Sequence, residues 1–378
     1  MAAMRVLYIE PFEAGSHHAF SRALTAASWA DWNVLTLPGR HWKWRMRGSA
    51  AYFARAHAET LAEAHDVVFA SAYLPLAELV GLCPALAEVP RILYFHENQL
   101  TFPQRQDAGA QVRDLHYGFT QLVSALAATR CVFNSEHNRS SFLDAAQDLL
   151  ARMPDAVAPG WVETIRTRSA VLGLPLELPE VRTEQLVDPP ASARAQGPLI
   201  VWNHRWEHDK GPAELVALID RLIEAGVRFR LAVCGHQFRR RPPALVDAEA
   251  RWRAALGSSL VQFGQLESRA DYLALLGEAQ IVLSTAHHEF FGISILEAVH
   301  CGARPLVPDA LSYPELLPAD ARYRDLDEAA TTLERWSAQW QAGALDLRAD
   351  RRAWTEVHAQ AAVLPRYRAL LESVAGSA

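Results

Sequence analysis

Cysteine is scarce in this chain. Cys83, Cys131, Cys234 and Cys301 are scattered over 378 residues with no CxxC pair. That excludes a disulfide-stapled scaffold and speaks against a cysteine zinc site. It fits small buried apolar residues in a reducing compartment. Long apolar runs are missing too. None approaches the ~20 residues of a membrane span, and the apolar part of residues 1–10 is too short for a signal peptide. The expected location is cytoplasmic, with no membrane partner. Positive charge is not in excess either. Lys and Arg total 37 against 43 Asp and Glu, for a net charge of −6, so any basic site must be local. No pair of aspartates suggests a metal-bound diphosphate, and neither a metal nor another cofactor is expected.

What is present is ordinary globular composition, 50% hydrophobic and 21% charged, in a length that suits two or three domains. Residues 6–9, 34–37, 67–70, 92–95 and 131–133 read as buried strands. A helix is expected over about 111–128, and Ser135 is placed to cap another. A proline-rich region ending in Asp188-Pro-Pro and Gln196-Gly-Pro198 reads as linker. The alternation then restarts: strand 199–202, helix 215–223, strands 229–233 and 261–263, helix 272–276, strand 281–283. This predicts an α/β protein of two doubly wound, Rossmann-like domains facing a cleft. The expected divisions are 1–180, a linker 181–197, 198–350, and a C-terminal helix over 351–378.

The densest chemistry lies in residues 281–302. A short strand leads into a polar loop carrying Glu289, then Phe290-Phe291-Gly292. Ile293, Leu296, Ala298 and Val299 recur at helical spacing until Cys301-Gly302. The free N–H groups at such a helix start suit an anion such as a diphosphate. Glu289 and Glu297 flank that cradle and are better used as acceptors for hydroxyls. Singly, each would read as ordinary surface charge. Arg205 and Lys210 stand five positions apart where the first strand of the second half ends; alone they would be solvated loop cations. His96 lies in His-Glu-Asn-Gln at a strand end, the usual place for chemistry in an open parallel sheet, although a lone histidine is more often a satisfied core residue. His17 and His18 are a weaker case of the same kind. Gly15 sits in the first strand–turn–helix unit, and His236 follows a strand near the expected nucleotide base.

The string Glu-(any seven)-Glu around Phe-Gly, with Glu-Ala, Cys-Gly and Pro305-Leu-Val after it, resembles the signature of retaining GT-B glycosyltransferases of the glycogen-synthase and sucrose-synthase type. The resemblance implies that Glu289 holds hydroxyls of the donor sugar and Glu297 the ribose. It implies that the amides around Phe291, Gly292 and Ile293 meet the diphosphate. Arg205 and Lys210 would bind the diphosphate and stabilise charge on the leaving nucleotide in place of a metal, and His96 would touch the sugar near its reacting carbon. The C-terminal helices would cross back to the first domain. Two departures stand out: His204 precedes Arg205 where the family commonly has glycine, and Gly15 is single in a turn usually richer in glycine. No carboxylate is placed as a nucleophile, which favours front-side transfer.

Longer stretches narrow the resemblance. Tyr94-Phe-His-Glu-Asn-Gln-Leu-Thr-Phe-Pro103, Phe133-Asn-Ser-Glu-His-Asn-Arg139 and Trp202-Asn-His-Arg-Trp-Glu-His-Asp-Lys-Gly211, with the Trp-Lys-Trp-Arg segment, are similar to the tRNA-queuosine mannosyltransferase family. That implies transfer of mannose from GDP-mannose to queuosine in a tRNA anticodon. Residues 40–48 interleave Arg40, Lys43, Arg45 and Arg47 with Trp42 and Trp44, a set suited to phosphates and unpaired bases. The alternative there is a solvated loop with both tryptophans in the core; Arg239-Arg-Arg241 is the next candidate for RNA. A GT-B transferase acting on a glycan or small metabolite, and a catalytically silent RNA-binding protein, are the competing functions. The intact Arg205, Lys210, Glu289 and Glu297 set argues against silence.

Overall fold

The computed structural model describes residues 3–103, 115–237 and 241–376. They divide into two compact units, Met1–Glu177 with His358–Ala378, and Leu178–Val357. In the first unit six strands pair in parallel in the order β2-β1-β3-β4-β5-β6. They are β1 (Met4–Glu13), β2 (Ala30–Pro38), β3 (Val67–Ser71), β4 (Arg91–Phe95), β5 (Arg130–Phe133) and β6 (Ser169–Val171). The second unit pairs β7 (Leu199–Trp202), β8 (Arg230–Cys234), β9 (Leu260–Gly264), β10 (Ile281–Leu283), β11 (Arg304–Pro308) and β12 (Arg322–Tyr323) in the order β12-β11-β10-β7-β8-β9.

Central strands of a parallel sheet are covered by helices on both faces, so they read as nearly continuous apolar runs. In β7 and β8, Ile200, Trp202, Leu231 and Val233 enter one core, and Leu199, Val201, Ala232 and Cys234 enter the other. Each sheet reverses its winding once, between β1 and β3 and between β7 and β10. Loops at the carboxyl ends of such neighbours diverge and leave a crevice for ligands. Gly15 to His18 follow β1 at the first of these points, and residues 203–211 and 285–292 follow β7 and β10 at the second; residues 40–48, His96 and His236 follow β2, β4 and β8.

Residues 153–177 are more regular than their prolines suggest. They hold the helix Trp161–Thr167 and β6, a half-buried edge strand with too little apolar signal to read. Residues 178–197 belong to the second unit, fastened by Arg194, which donates to Trp340 O, Leu345 O and Asp346. The helix Gln360–Ala375 returns to the first unit, where the Tyr367 hydroxyl donates to Leu172 O (3.1 Å) and its ring meets Phe20 edge-on. The helix expected over 111–128 is described from His116 to Ala127; its expected start lies outside the described residues, as do Arg239 and Arg240. All four cysteines are free, and Cys131, Cys234 and Cys301 are buried. No described helix is long and apolar enough to cross a membrane.

Candidate active site

In the second unit, β7 ends at Trp202, just before Asn203, and the chain makes a short turn, His208–Lys210, before the helix Pro212–Glu224. Gly211 makes that turn possible. Its φ is 64°, and a Cβ there would lie 1.8 Å from Thr285 O. The Thr285 hydroxyl donates to Gly211 O (2.8 Å) and accepts from Trp202 Nε1 (3.0 Å), so the loops after β7 and β10 are tied together.

This brings Lys210 to Glu289. Lys210 Nζ donates to His288 O (2.7 Å) and lies 3.2 Å from carboxylate oxygens of both Glu289 and Asp209. Burial works to raise the Glu289 carboxyl, but Lys210, His204 and the Phe291 amide outweigh it and lower its pKa to about 2. Burial works to lower the Lys210 ammonium, and Glu289 and Asp209 outweigh it, so its pKa is raised. Lys210 and Glu289 are therefore both charged at neutral pH. His204, buried beside Lys210, is pushed down to about 4 and stays neutral; its Nε2 meets Ser284 Oγ at 3.0 Å. Arg205 is half-exposed and 3.3 Å from Glu207. His236 is exposed, just past Gly235 at the end of β8.

Gly292, with φ 100°, opens the helix Ile293–His300. The Phe291 amide, read from sequence as part of the anion cradle, instead donates to Glu289 Oε1 (3.2 Å). The amides of Gly292 and Ile293 have no protein acceptor among the described residues. One turn on, Glu297 accepts from Arg269 (2.5 Å) and from the Tyr272 hydroxyl (3.0 Å). Asn203 Nδ2 donates to that hydroxyl and to Ser294 O, joining the β7 end to this helix. The chain does spell one aspartate pair, Asp325 and Asp327. Asp325 caps a helix through the Glu328 amide, and Asp327 pairs with Arg221.

In the first unit, Glu10 emerges fully buried from β1. Its Oε1 accepts from the Phe12 amide (2.8 Å) and Ser71 Oγ (2.9 Å), and its Oε2 lies 3.0 Å from His17 Nδ1. The His17 ring stacks on His96 at 3.9 Å. His96 is buried; neither of its ring nitrogens has a hydrogen-bond partner among the described residues, and its Nε2 lies 3.9 Å from Glu10 Oε2. Burial, then His17, holds its pKa well below the usual 6.5, so it is neutral. One ligand atom each from Glu10, His17 and His96 lies within 4.8 Å of the others, close enough to share a metal ion. Two imidazoles lying face to face point their in-plane lone pairs side by side, so one ring must turn before both reach a single ion. Gly15 caps the helix Ser16–Thr25 with φ 54° and open space where a Cβ would be.

Residues 40–48 are not a loop. The helix Trp42–Ala56 begins inside them, and the two tryptophans part ways. Trp42 is half-buried against Tyr73 and Tyr117, which leaves it poorly placed to stack on a base. Trp44 is 64% exposed, its ring lying along the helix over Gly48. Arg40, Lys43 and Arg47 are exposed, with Lys43 and Arg47 over the Tyr117 ring. Arg45 turns back to Pro38 O.

With this geometry in place, comparison with known proteins is decisive. Residues 5–176 match the family described as tRNA-queuosine alpha-mannosyltransferase N-terminal, and residues 188–321 match glycosyl transferases group 1. The tRNA-queuosine alpha-mannosyltransferase of Drosophila melanogaster is 40% identical over 326 residues, 85% of this chain and 84% of the relative. The chain belongs to the tRNA-queuosine alpha-mannosyltransferase family. A GDP-mannose:cellobiosyl-diphosphopolyprenol alpha-mannosyltransferase of Xanthomonas campestris is 29% identical over 120 residues, 31% of this chain and 30% of that one. Among solved structures, sucrose-phosphate synthase from Thermosynechococcus elongatus aligns over 100% of both chains with TM-score 0.68 and 16% identity. A lipopolysaccharide outer core galactosyltransferase aligns over 98% of this chain and 99% of its own with TM-score 0.64 and 11% identity. The GT-B fold expected from sequence is thereby borne out, and this member of the family is a glycosyltransferase.

Four residues of this transferase escaped the sequence reading. Asp209 completes the charges around Lys210, Arg269 and Tyr272 hold Glu297, and Glu10 supports His17. Asp209 adjoins Lys210 in sequence and could have been found that way. Glu10 lies seven residues before His17 in the same stretch; Arg269 and Tyr272 come from a distant segment and carry no local signal.

Proposed function

We propose that this enzyme transfers mannose from GDP-mannose, with retention, to the cyclopentenediol of queuosine in a tRNA anticodon. The observation that carries the reading is the buried Lys210–Glu289 pair at the carboxyl ends of β7 and β10, in a chain 40% identical to a protein of that name. Lys210 and Arg205 take the diphosphate and stabilise charge as it leaves. Glu289 accepts from sugar hydroxyls, and its charge is kept by Lys210. Glu297 accepts from the ribose. The Gly292 and Ile293 amides meet a phosphate oxygen, and His236 borders the base. His96, neutral and with unpaired nitrogens, offers the sugar a hydrogen bond near the reacting carbon, with Gly15 in the neighbouring turn.

With no carboxylate placed as a nucleophile, the departing phosphate oxygen takes the acceptor's proton as the new bond forms on the same face. No metal is required, because the cations and the helix start supply the positive field. Arg40, Lys43, Arg47 and Trp44 contact the RNA. The test is incubation with several sugar nucleotides and queuosine-containing tRNA, followed by mass analysis of the nucleosides. A hexose added to queuosine from GDP-mannose alone is the expected result. Transfer to glycans with none to tRNA would overturn the reading.

A further inference from the structure

We propose that Glu97 recognises the acceptor nucleoside, its free carboxylate oxygen receiving the protonated secondary amine that links the queuosine base to its diol. The proposal rests on the function proposed above. Glu97 follows His96 at the carboxyl end of β4 and is half-buried. Its Oε1 accepts from the Tyr73 hydroxyl (2.5 Å) and from Gln99 Nε2 (2.9 Å). Its Oε2 has no protein partner among the described residues, and Glu97 forms no ion pair there. The carboxylate is thus aimed by two neutral donors and neutralised by none. Its support is itself fixed: Gln121 accepts from the Gln99 amide (2.7 Å) and donates to Glu97 O and Ala72 O.

The other carboxylates at these strand ends are already used. Glu10 is fully buried with both oxygens engaged. Glu13 meets Ser21 and His18. Glu136 is paired with Arg139. Of these four carboxylates, Glu97 is the one with no ion pair among the described residues. The surroundings suit the rest of such a nucleoside. The Tyr73 ring stacks on Phe12 at 5.3 Å and meets Trp42 edge-on, and Trp42 continues to Tyr117. They pack as one small apolar cluster, whose partly buried members Phe12 and Trp42 present apolar surface to the rest of such a nucleoside. Tyr73 also lies 5.2 Å from His17, which stacks on His96, so an amine on Glu97 sits close to the histidine assigned to the reacting sugar. Guanosine lacks the amine, so Glu97 separates modified from unmodified tRNA.

The test is Glu97→Gln, which keeps the shape and the Tyr73 contact and removes the charge. A charge-assisted hydrogen bond to a cation predicts that KM for queuosine tRNA rises roughly tenfold or more, with kcat changed less. Free queuosine should inhibit the wild type better than guanosine, and this margin should collapse in Glu97→Gln. Raising the pH until the amine deprotonates should raise KM in the wild type and leave it unchanged in the variant, which a merely structural role would not produce. Glu97→Asp, with the charge kept but withdrawn by one methylene, should fall between them. The proposal is overturned if the wild type modifies queuosine tRNA while Glu97→Gln matches its KM and its nucleoside preference. A wild type that leaves queuosine tRNA unmodified sinks the functional reading first, and Glu97 loses its ligand with it.

Discussion

Lys210 Nζ lies 3.2 Å from a carboxylate oxygen of Glu289, with the two side chains only 7% and 17% exposed. The group assigned to the diphosphate and the group assigned to the sugar are joined in the free enzyme. With Asp209 also on Lys210, removing the lysine strands two buried carboxylates. Lys210→Ala should therefore lower stability by about 3–5 kcal/mol, as for a broken buried pair, besides slowing transfer. Half-exposed Arg205 allows the cleaner kinetic test. Arg205→Ala should melt near the wild type while kcat falls by roughly two to three powers of ten, as for a lost stabiliser of developing charge. Unchanged turnover would remove Arg205 from the site.

Stability should decline with acid in two stages. His204 has a folded pKa of about 4, below its unfolded value of roughly 6.5. Its contribution is complete above about pH 6.5 and is lost as pH falls through 4. His96, also lowered, acts in the same direction. Glu289, at about 2 when folded against roughly 4.3 unfolded, adds a second loss between about pH 4.5 and 2. Urea unfolding across pH 8 to 3 checks this. His204→Gln should flatten the upper stage, and a protein that grows more stable from pH 6.5 to 5 would contradict the assignment.

Glu297 carries two protein donors before any ribose arrives, yet each carboxylate oxygen has a second lone pair to offer. Ribose contacts exist before and during transfer, so Glu297→Ala should raise KM for the donor more than it lowers kcat. Calorimetric titration with GDP-mannose measures the affinity directly. Equal affinity in the variant and the wild type would place the ribose elsewhere.

Transfer should persist in excess EDTA. In the function proposed above, the positive charge around Lys210 and the open amides of Gly292 and Ile293 take the place of a metal, and the Glu10, His17 and His96 group has its imidazoles stacked. Activity lost on chelation and restored by manganese would show that a metal holds the diphosphate or occupies that group.

Much of this was legible in the sequence because parallel strands buried on both faces leave short apolar runs such as Leu199-Ile-Val-Trp202, bounded by turn residues and rich in β-branched and aromatic side chains. Strand β6 was not, since Ser169-Ala-Val171 is half-buried at a sheet edge and needs little apolar character. The Lys210–Glu289 relation was foreseeable from two motifs, each at a strand end. The donors on Glu297 were not, because Arg269 and Tyr272 come from a separate helix with an ordinary surface pattern. The helix that begins at Trp42 was not read from sequence, because charge and tryptophan alternate there; Met46, Ser49, Ala50 and Phe53 form the buried stripe that makes the segment helical.

That helix sharpens the RNA prediction. Trp42 packs on Tyr73 and Tyr117, so Trp42→Ala should cost stability. Trp44 is 64% exposed and rests on Gly48, where an added Cβ would come within 2.8 Å of its ring. One indole face is supported by the helix and the other is available to a base. Trp44→Ala should weaken tRNA binding by about 1–3 kcal/mol with melting unchanged. Arg45 is turned toward Pro38 O, so Arg40 and Lys43 are the better pair for phosphates. Arg40→Ala with Lys43→Ala should flatten the salt dependence of tRNA binding by roughly two phosphate contacts and leave GDP-mannose affinity as it was, because the groups assigned to the diphosphate and the ribose belong to the other unit. Filter binding over a salt series decides it. Equal slopes for the wild type and the double variant would mean that the anticodon lies away from this helix.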